Sequence, residues 1–85
     1  MTLTQLKYIV EVARSQTISK AAEKLYISQP SLTSAIRELE NEFQITIFQR
    51  TNKGVILTKE GEEFLGYARQ VLMQTHLMEE RYALA

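Results

Sequence analysis

Residues 17–43, TISKAAEKLYISQPSLTSAIRELENEF, hold the decisive pattern of this 85-residue chain. Thr17 is placed to cap a short helix, because its hydroxyl can accept from a free N–H of the first turn. Ile18, Ala21, Ala22 and Leu25 then fall on one face. The paired alanines let a crossing helix come close. Tyr26 and Ile27 interrupt the pattern, and Ser28 can cap a second helix. Pro30 is tolerated in its first turn, where its missing N–H has no helical partner anyway. Leu32, Ala35, Ile36, Leu39 and Phe43 follow at helical spacing, within about 50° of a common direction. The opposite face carries Pro30, Thr33, Ser34, Arg37 and Asn41. It is small and polar, with a basic residue at Arg37 and acidic residues only from Glu38 onward.

Upstream, Thr2 and Gln5 have the spacing of a capping box. They predict a helix from about Leu3 whose buried stripe is Leu3, Leu6, Ile9, Val10 and Ala13. Downstream the period changes. β-branched residues flank Thr51-Asn52-Lys53-Gly54, which reads as a short β-hairpin. Thr58 then caps a long last helix, with Glu60, Glu62 and Glu63 in its first turns, where acidic groups suit the helix dipole. Phe64, Ala68, Val71, Thr75, Met78 and Tyr82 are spaced as a heptad-like seam on a helix of about 26 residues. A compact unit of this size cannot cover so long a stripe, so the seam is expected to meet a second copy of the chain. The expected organisation is a compact unit over residues 1–58 and a dimerising helix over 59–85.

Composition narrows the chemistry. The chain has no cysteine and a single histidine, His76. Disulfides, thiolate metal sites and cysteine nucleophiles are thereby absent, and no cofactor or metal is expected. No apolar run is long enough to cross a membrane, and MTLTQLKY lacks the long apolar stretch of a signal peptide. A cytoplasmic location follows as the expectation. The formal net charge is zero. Its distribution is uneven: residues 1–37 carry five basic and two acidic side chains, and residues 50–59 carry three basic ones. Residues 38–49 carry three acidic side chains and no basic one. Any affinity for nucleic acid must come from a local surface, with the acidic segments turned away.

Two helices joined by three or four residues, the second apolar inside and small and polar outside, make a helix-turn-helix. A major groove accepts one α-helix, and its backbone approaches the bases only if the leading side chains are short. Gln29, Pro30, Ser31, Thr33 and Ser34 meet that demand. The Gln29 amide suits an adenine edge, and Arg37 can reach a guanine or a phosphate. The hairpin would be a wing with Lys53 at its tip.

The chain resembles the N-terminal DNA-binding domain of LysR-type bacterial transcriptional regulators over about residues 2–82. The resemblance rests on Ser28-Gln29-Pro30, the Ala21-Ala22 pair, Leu39-Glu40, Phe48-x-Arg50 and Leu57-Thr58-x-x-Gly61. It implies a mainly α, winged helix-turn-helix with a long linker helix that pairs antiparallel with its copy. It also implies an operator with an inverted repeat. Carried over by position, Gln29, Pro30, Ser31 and Thr33 face the groove, and Arg50 and Lys53 belong to the wing. Thr17 and Ser19 touch the DNA backbone. Family members usually carry a second domain that binds a small-molecule inducer. This chain stops within the expected linker helix, so it is expected to be a DNA-binding fragment or a short relative. Two departures stand out. The family often has Arg where this chain has Ser34, and Arg37 is expected to replace that contact in part. The family usually has Gly where this chain has Gln44, and a left-handed Gln there costs about 1 kcal/mol relative to Gly.

The competing reading is a helical interaction module that dimerises through the last helix without touching DNA. An enzyme has no supporting constellation: Glu62 and Glu63 are helix-start charges with no histidine or glycine-rich loop beside them. Tyr8, Tyr26 and Tyr67 are expected in or at the edge of the core, and His76 at the surface or an interface.

Overall fold

A computed structural model describes residues 1–83; Leu84 and Ala85, the end of the expected 59–85 segment, lie outside the described residues. Four helices and one hairpin follow in the order α1 (Leu3–Ser15), α2 (Ile18–Leu25), α3 (Gln29–Phe43), β1 (Phe48–Thr51), β2 (Gly54–Leu57) and α4 (Lys59–Tyr82). Each helix starts at a hydroxyl. Thr2 Oγ1 accepts from the Gln5 N–H at 3.1 Å, and Gln5 Oε1 accepts from the Thr2 N–H at 3.0 Å, which completes the capping box. Thr17, Ser28 and Thr58 accept from the N–H of Lys20, Ser31 and Gly61 in the same way. α1, α2 and α3 end at Gln16, Tyr26 and Gln44, all left-handed with φ of 66°, 57° and 54°. Glycine would hold these positions without the Cβ penalty. The left-handed backbone expected at Gln44 is present, and its side-chain amide donates to the Asn41 carbonyl at 2.7 Å.

The core draws on every element. Leu6, Ile9 and Val12 come from α1, Ala21 and Ala22 from α2, and Leu32, Ile36 and Leu39 from α3. Ile47, Val55 of β2, and Leu65 and Ala68 of α4 complete it. Packing therefore runs past residue 58 into the first half of α4. The α1 stripe is rotated from expectation. Val12 is fully buried, Val10 and Ala13 only half so, and Leu3 remains 43% exposed. α1 is packed by α2, α3, α4 and β2 together, so its inner face is centred on Leu6, Ile9 and Val12. Two tyrosines also depart: Tyr26 is 94% and Tyr67 66% exposed, while Tyr8 is half-buried. Tyr26 occupies the left-handed helix end, which turns its side chain away from the packed face.

β1 and β2 pair antiparallel, with Phe48 opposite Leu57 and Arg50 opposite Val55. A lone two-stranded hairpin is marginal in water. Here three outside groups hold it. The Val55 N–H donates to the Gln16 carbonyl at 2.9 Å. Glu40 Oε2 accepts from the N–H of Ile47 at 2.7 Å and of Phe48 at 3.3 Å. Thr58 donates its N–H to the Ile47 carbonyl at 3.0 Å and its hydroxyl to the Thr46 carbonyl. Gly54 (φ 145°) and Gly61 stand where a Cβ would overlap the carbonyl oxygens of Gln16 and Ile47 respectively. Among the described residues no helix is long and apolar enough to cross a membrane.

Candidate nucleic-acid interface

α2 and α3 are joined by Tyr26, Ile27 and Ser28 alone, so they form the expected helix-turn-helix. Leu32, Ile36 and Leu39 anchor α3 to the core. That leaves Gln29, Pro30, Ser31, Ser34 and Arg37 exposed, with Thr33 half-buried at the edge. Gln29, Pro30, Thr33, Ser34 and Arg37 share one open, shallow surface. Ser31 differs slightly from its neighbours: its N–H and its Oγ both engage the Ser28 hydroxyl, at 3.2 and 2.8 Å. It serves the cap and keeps one hydroxyl proton for a ligand.

The acidic half of α3 is turned to other uses. Glu38 accepts from the Gln5 amide at 3.2 Å, and Glu42 pairs with the N-terminal ammonium at 2.7 Å. Glu40 holds the base of the hairpin. None of these three carboxylates lines the open surface shared by Gln29, Pro30, Thr33, Ser34 and Arg37, although Glu40 borders Arg37 in a neighbouring cleft. Thr17 caps α2 and packs beside Gly54, while Ser19 is exposed on the first turn of α2. The start of α2 and the hairpin therefore adjoin. Lys53 is exposed at the tip, in a turn tied by the Lys53 N–H to Thr51 Oγ1 at 3.2 Å.

The seam on α4 divides in two. Ala68, 2% exposed, is absorbed by its own core and has almost no surface left for a partner. Phe64 is half-buried and packs on Phe43 with ring centroids 5.5 Å apart. Val71 is 40% exposed and Thr75 half-buried, its hydroxyl donating to the Val71 carbonyl. Leu72 is the last residue of α4 packed against the core. Beyond it Met73, Leu77, Met78 and Tyr82 are 58%, 48%, 64% and 68% exposed. Sequence reasoning missed Leu65 and Leu72 as core residues, and it missed Glu40 and the Gln16 carbonyl as holds on the wing. Of these, only Glu40 left a signal, as part of the Leu39-Glu40 pair.

A family model described as bacterial regulatory helix-turn-helix protein, lysR family, matches residues 3–62. The HTH-type transcriptional regulator ClcR of Pseudomonas putida is 41% identical over 81 residues, 95% of this chain and 28% of that protein. The crystal structure of the CbnR DNA-binding domain–DNA complex superposes with a TM-score of 0.92 at 32% identity, covering 99% of this chain and 97% of that one. The BenM DNA-binding domain on the benA site 1 DNA gives a TM-score of 0.91 at 37% identity, with both chains covered completely. The chain spans about a quarter to a third of the length of the curated relatives it matches. With the helix pair, the wing and the family match in agreement, the chain belongs to the LysR family of bacterial helix-turn-helix regulatory proteins.

Proposed function

We propose that this chain binds double-stranded DNA sequence-specifically as the DNA-reading part of a LysR-type transcriptional regulator. The observation that carries the reading is the exposed N-terminal face of α3. Its side chains Gln29, Pro30, Ser31 and Ser34 are short enough to let the helix backbone approach base edges. That the CbnR and BenM domains were crystallised on DNA supports the same reading. Thr17 and Ser19 on α2 and Lys53 on the wing contact the backbone on either side. The exposed apolar residues of the second half of α4, Val71, Met78 and Tyr82 with Leu77, pair with a second copy. Two-fold symmetry then calls for an inverted-repeat site with half-sites whole helical turns apart.

Selection of a random duplex pool against the chain, read at about 50 and 200 mM salt, tests this. An enriched inverted repeat is the expected result. Enrichment of single half-sites would remove the dimer and keep the reading helix. A dimer indifferent to DNA at low salt would replace the proposal with the interaction module. On the enriched site, Gln29→Ala is expected to reduce discrimination at one base position about tenfold. Full discrimination in binding to site variants would take Gln29 out of the reading set. Lys53→Ala is expected to weaken all sequences alike and flatten the salt dependence by about one unit of slope per half-site. An unaltered slope would place the wing tip off the DNA.

A further inference from the structure

The face of α3 next to the wing holds a feature that base reading does not explain. Thr33, Arg37 and Glu40 lie within about 60° of one another around the helix axis. They form one wall of a small cleft of about 70 Å³. The hairpin forms the other wall, through Phe48, Arg50 and Val55. Arg50 is there for a reason of register. Side chains alternate along a strand, so Arg50 shares the inward face with Phe48 and stands opposite Val55. Its side chain thus lies on the core side of the hairpin and lines the cleft, and the residue is exposed. Arg37 lines the same cleft from α3, also exposed.

Neither arginine forms an ion pair among the described residues. The one carboxylate in the cleft, Glu40, is engaged by the N–H groups of Ile47 and Phe48. It ties the base of the hairpin to α3, the two elements that carry the two arginines. Two unpaired like charges held on facing walls of one cleft repel each other, and an anion between them reverses the sign of that interaction. A guanidinium presents planar forked donors that match phosphate oxygens.

We infer that Arg37 and Arg50 together grip a single backbone phosphate, so that Arg37 is a phosphate ligand and not a base reader. The inference rests on the DNA-binding reading and adds a site to it. The phosphate would lie at the seam between recognition helix and wing, and would tie both to one point on the strand.

The test is a double-mutant cycle on the selected duplex, with the salt slope of binding as the readout. Arg37→Ala and Arg50→Ala are each expected to weaken binding about tenfold and to remove about 0.9 unit of slope, both per half-site. The double variant is expected to lose no further slope. Thermal melts of the free variants guard against misfolding, and Arg50→Lys, which keeps the charge without the fork, is expected to keep the slope while losing affinity. A double variant that loses about twice the slope would mean two separate phosphates and would overturn the shared grip. A changed base preference in Arg37→Ala would return that residue to base reading. Wild-type binding with unaltered slopes in the single variants would overturn the grip alone. A wild-type chain that ignores DNA at low salt would overturn the DNA-binding reading and the grip with it.

Discussion

Replacing Gly61 with alanine is expected to cost about 2–3 kcal/mol of folding stability and to lower the melting temperature by about 10–20 °C. The added Cβ would overlap the Ile47 carbonyl oxygen. That oxygen has little freedom to move, because it accepts the Thr58 N–H at 3.0 Å, and Glu40 holds the same residue's N–H at 2.7 Å. Relief must come from sliding the start of α4 off the base of the wing. The gain in helix propensity from Gly to Ala, about 1 kcal/mol, opposes the loss without cancelling it. Gly66 supplies the control, since nothing lies within 4 Å of a Cβ built there. Gly66→Ala is expected to stabilise by about 0.5–1 kcal/mol. Thermal melts of the two variants decide the matter: equal effects at both glycines would mean that α4 does not press on Ile47.

Ser34 offers the largest change in DNA affinity, in either direction. Its side chain is exposed on the open surface it shares with Gln29, Pro30, Thr33 and Arg37. Ser34→Glu would put a carboxylate against the phosphate field, and like-charge juxtaposition at an interface costs several kcal/mol. A loss of about 100-fold or more is expected, with little change in the melt, because the site is solvated in the free chain. Ser34→Arg introduces a long basic side chain on the same open surface. A gain of about tenfold, with about 0.9 unit more salt slope if the new contact is a phosphate, is expected per half-site. Filter binding on the selected duplex measures both. Ser34→Glu binding as tightly as wild type would take this face of α3 out of the groove.

The local features of the fold were legible and the long-range ones were not. Thr2, Thr17, Ser28 and Thr58 announced the helix starts because a hydroxyl acts on N–H groups two or three residues away. Thr51 to Gly54 announced the hairpin for the same local reason. The rotation of α1 toward Val12 is set by α2, α4 and β2 packing around it, which its own sequence does not encode. Tyr26 looked like core because it is large, yet its backbone had to close the helix-turn-helix in a left-handed conformation, and the side chain went outward. The heptad-like seam on α4 mixed two uses of one stripe. Ala68 serves its own core, and from Val71 onward the seam is largely exposed. On the candidate interface, the short side chains of α3 could be read directly. The cleft shared by Arg37 and Arg50 could not, because it exists only when residues thirteen apart in sequence meet across α3 and β1.

The hairpin's three holds also set an order of events. Gln16 lies in the α1–α2 connection, Glu40 in α3 and Thr58 in the β2–α4 connection, and the Gln16–Val55 bond closes a loop of 39 residues. Loop closure costs entropy before it returns any bonding, whereas α1, α2 and α3 form from neighbours in sequence. The wing is therefore expected to condense after α1, α2 and α3 during refolding and to open before them in the native state. A hydrogen-exchange pulse that found the Val55 amide protected before those of α1 and α3 would contradict this order. In the free chain, then, the hairpin is expected to open more readily than the helices it rests on, and a ligand bridging it to α3 would slow that opening.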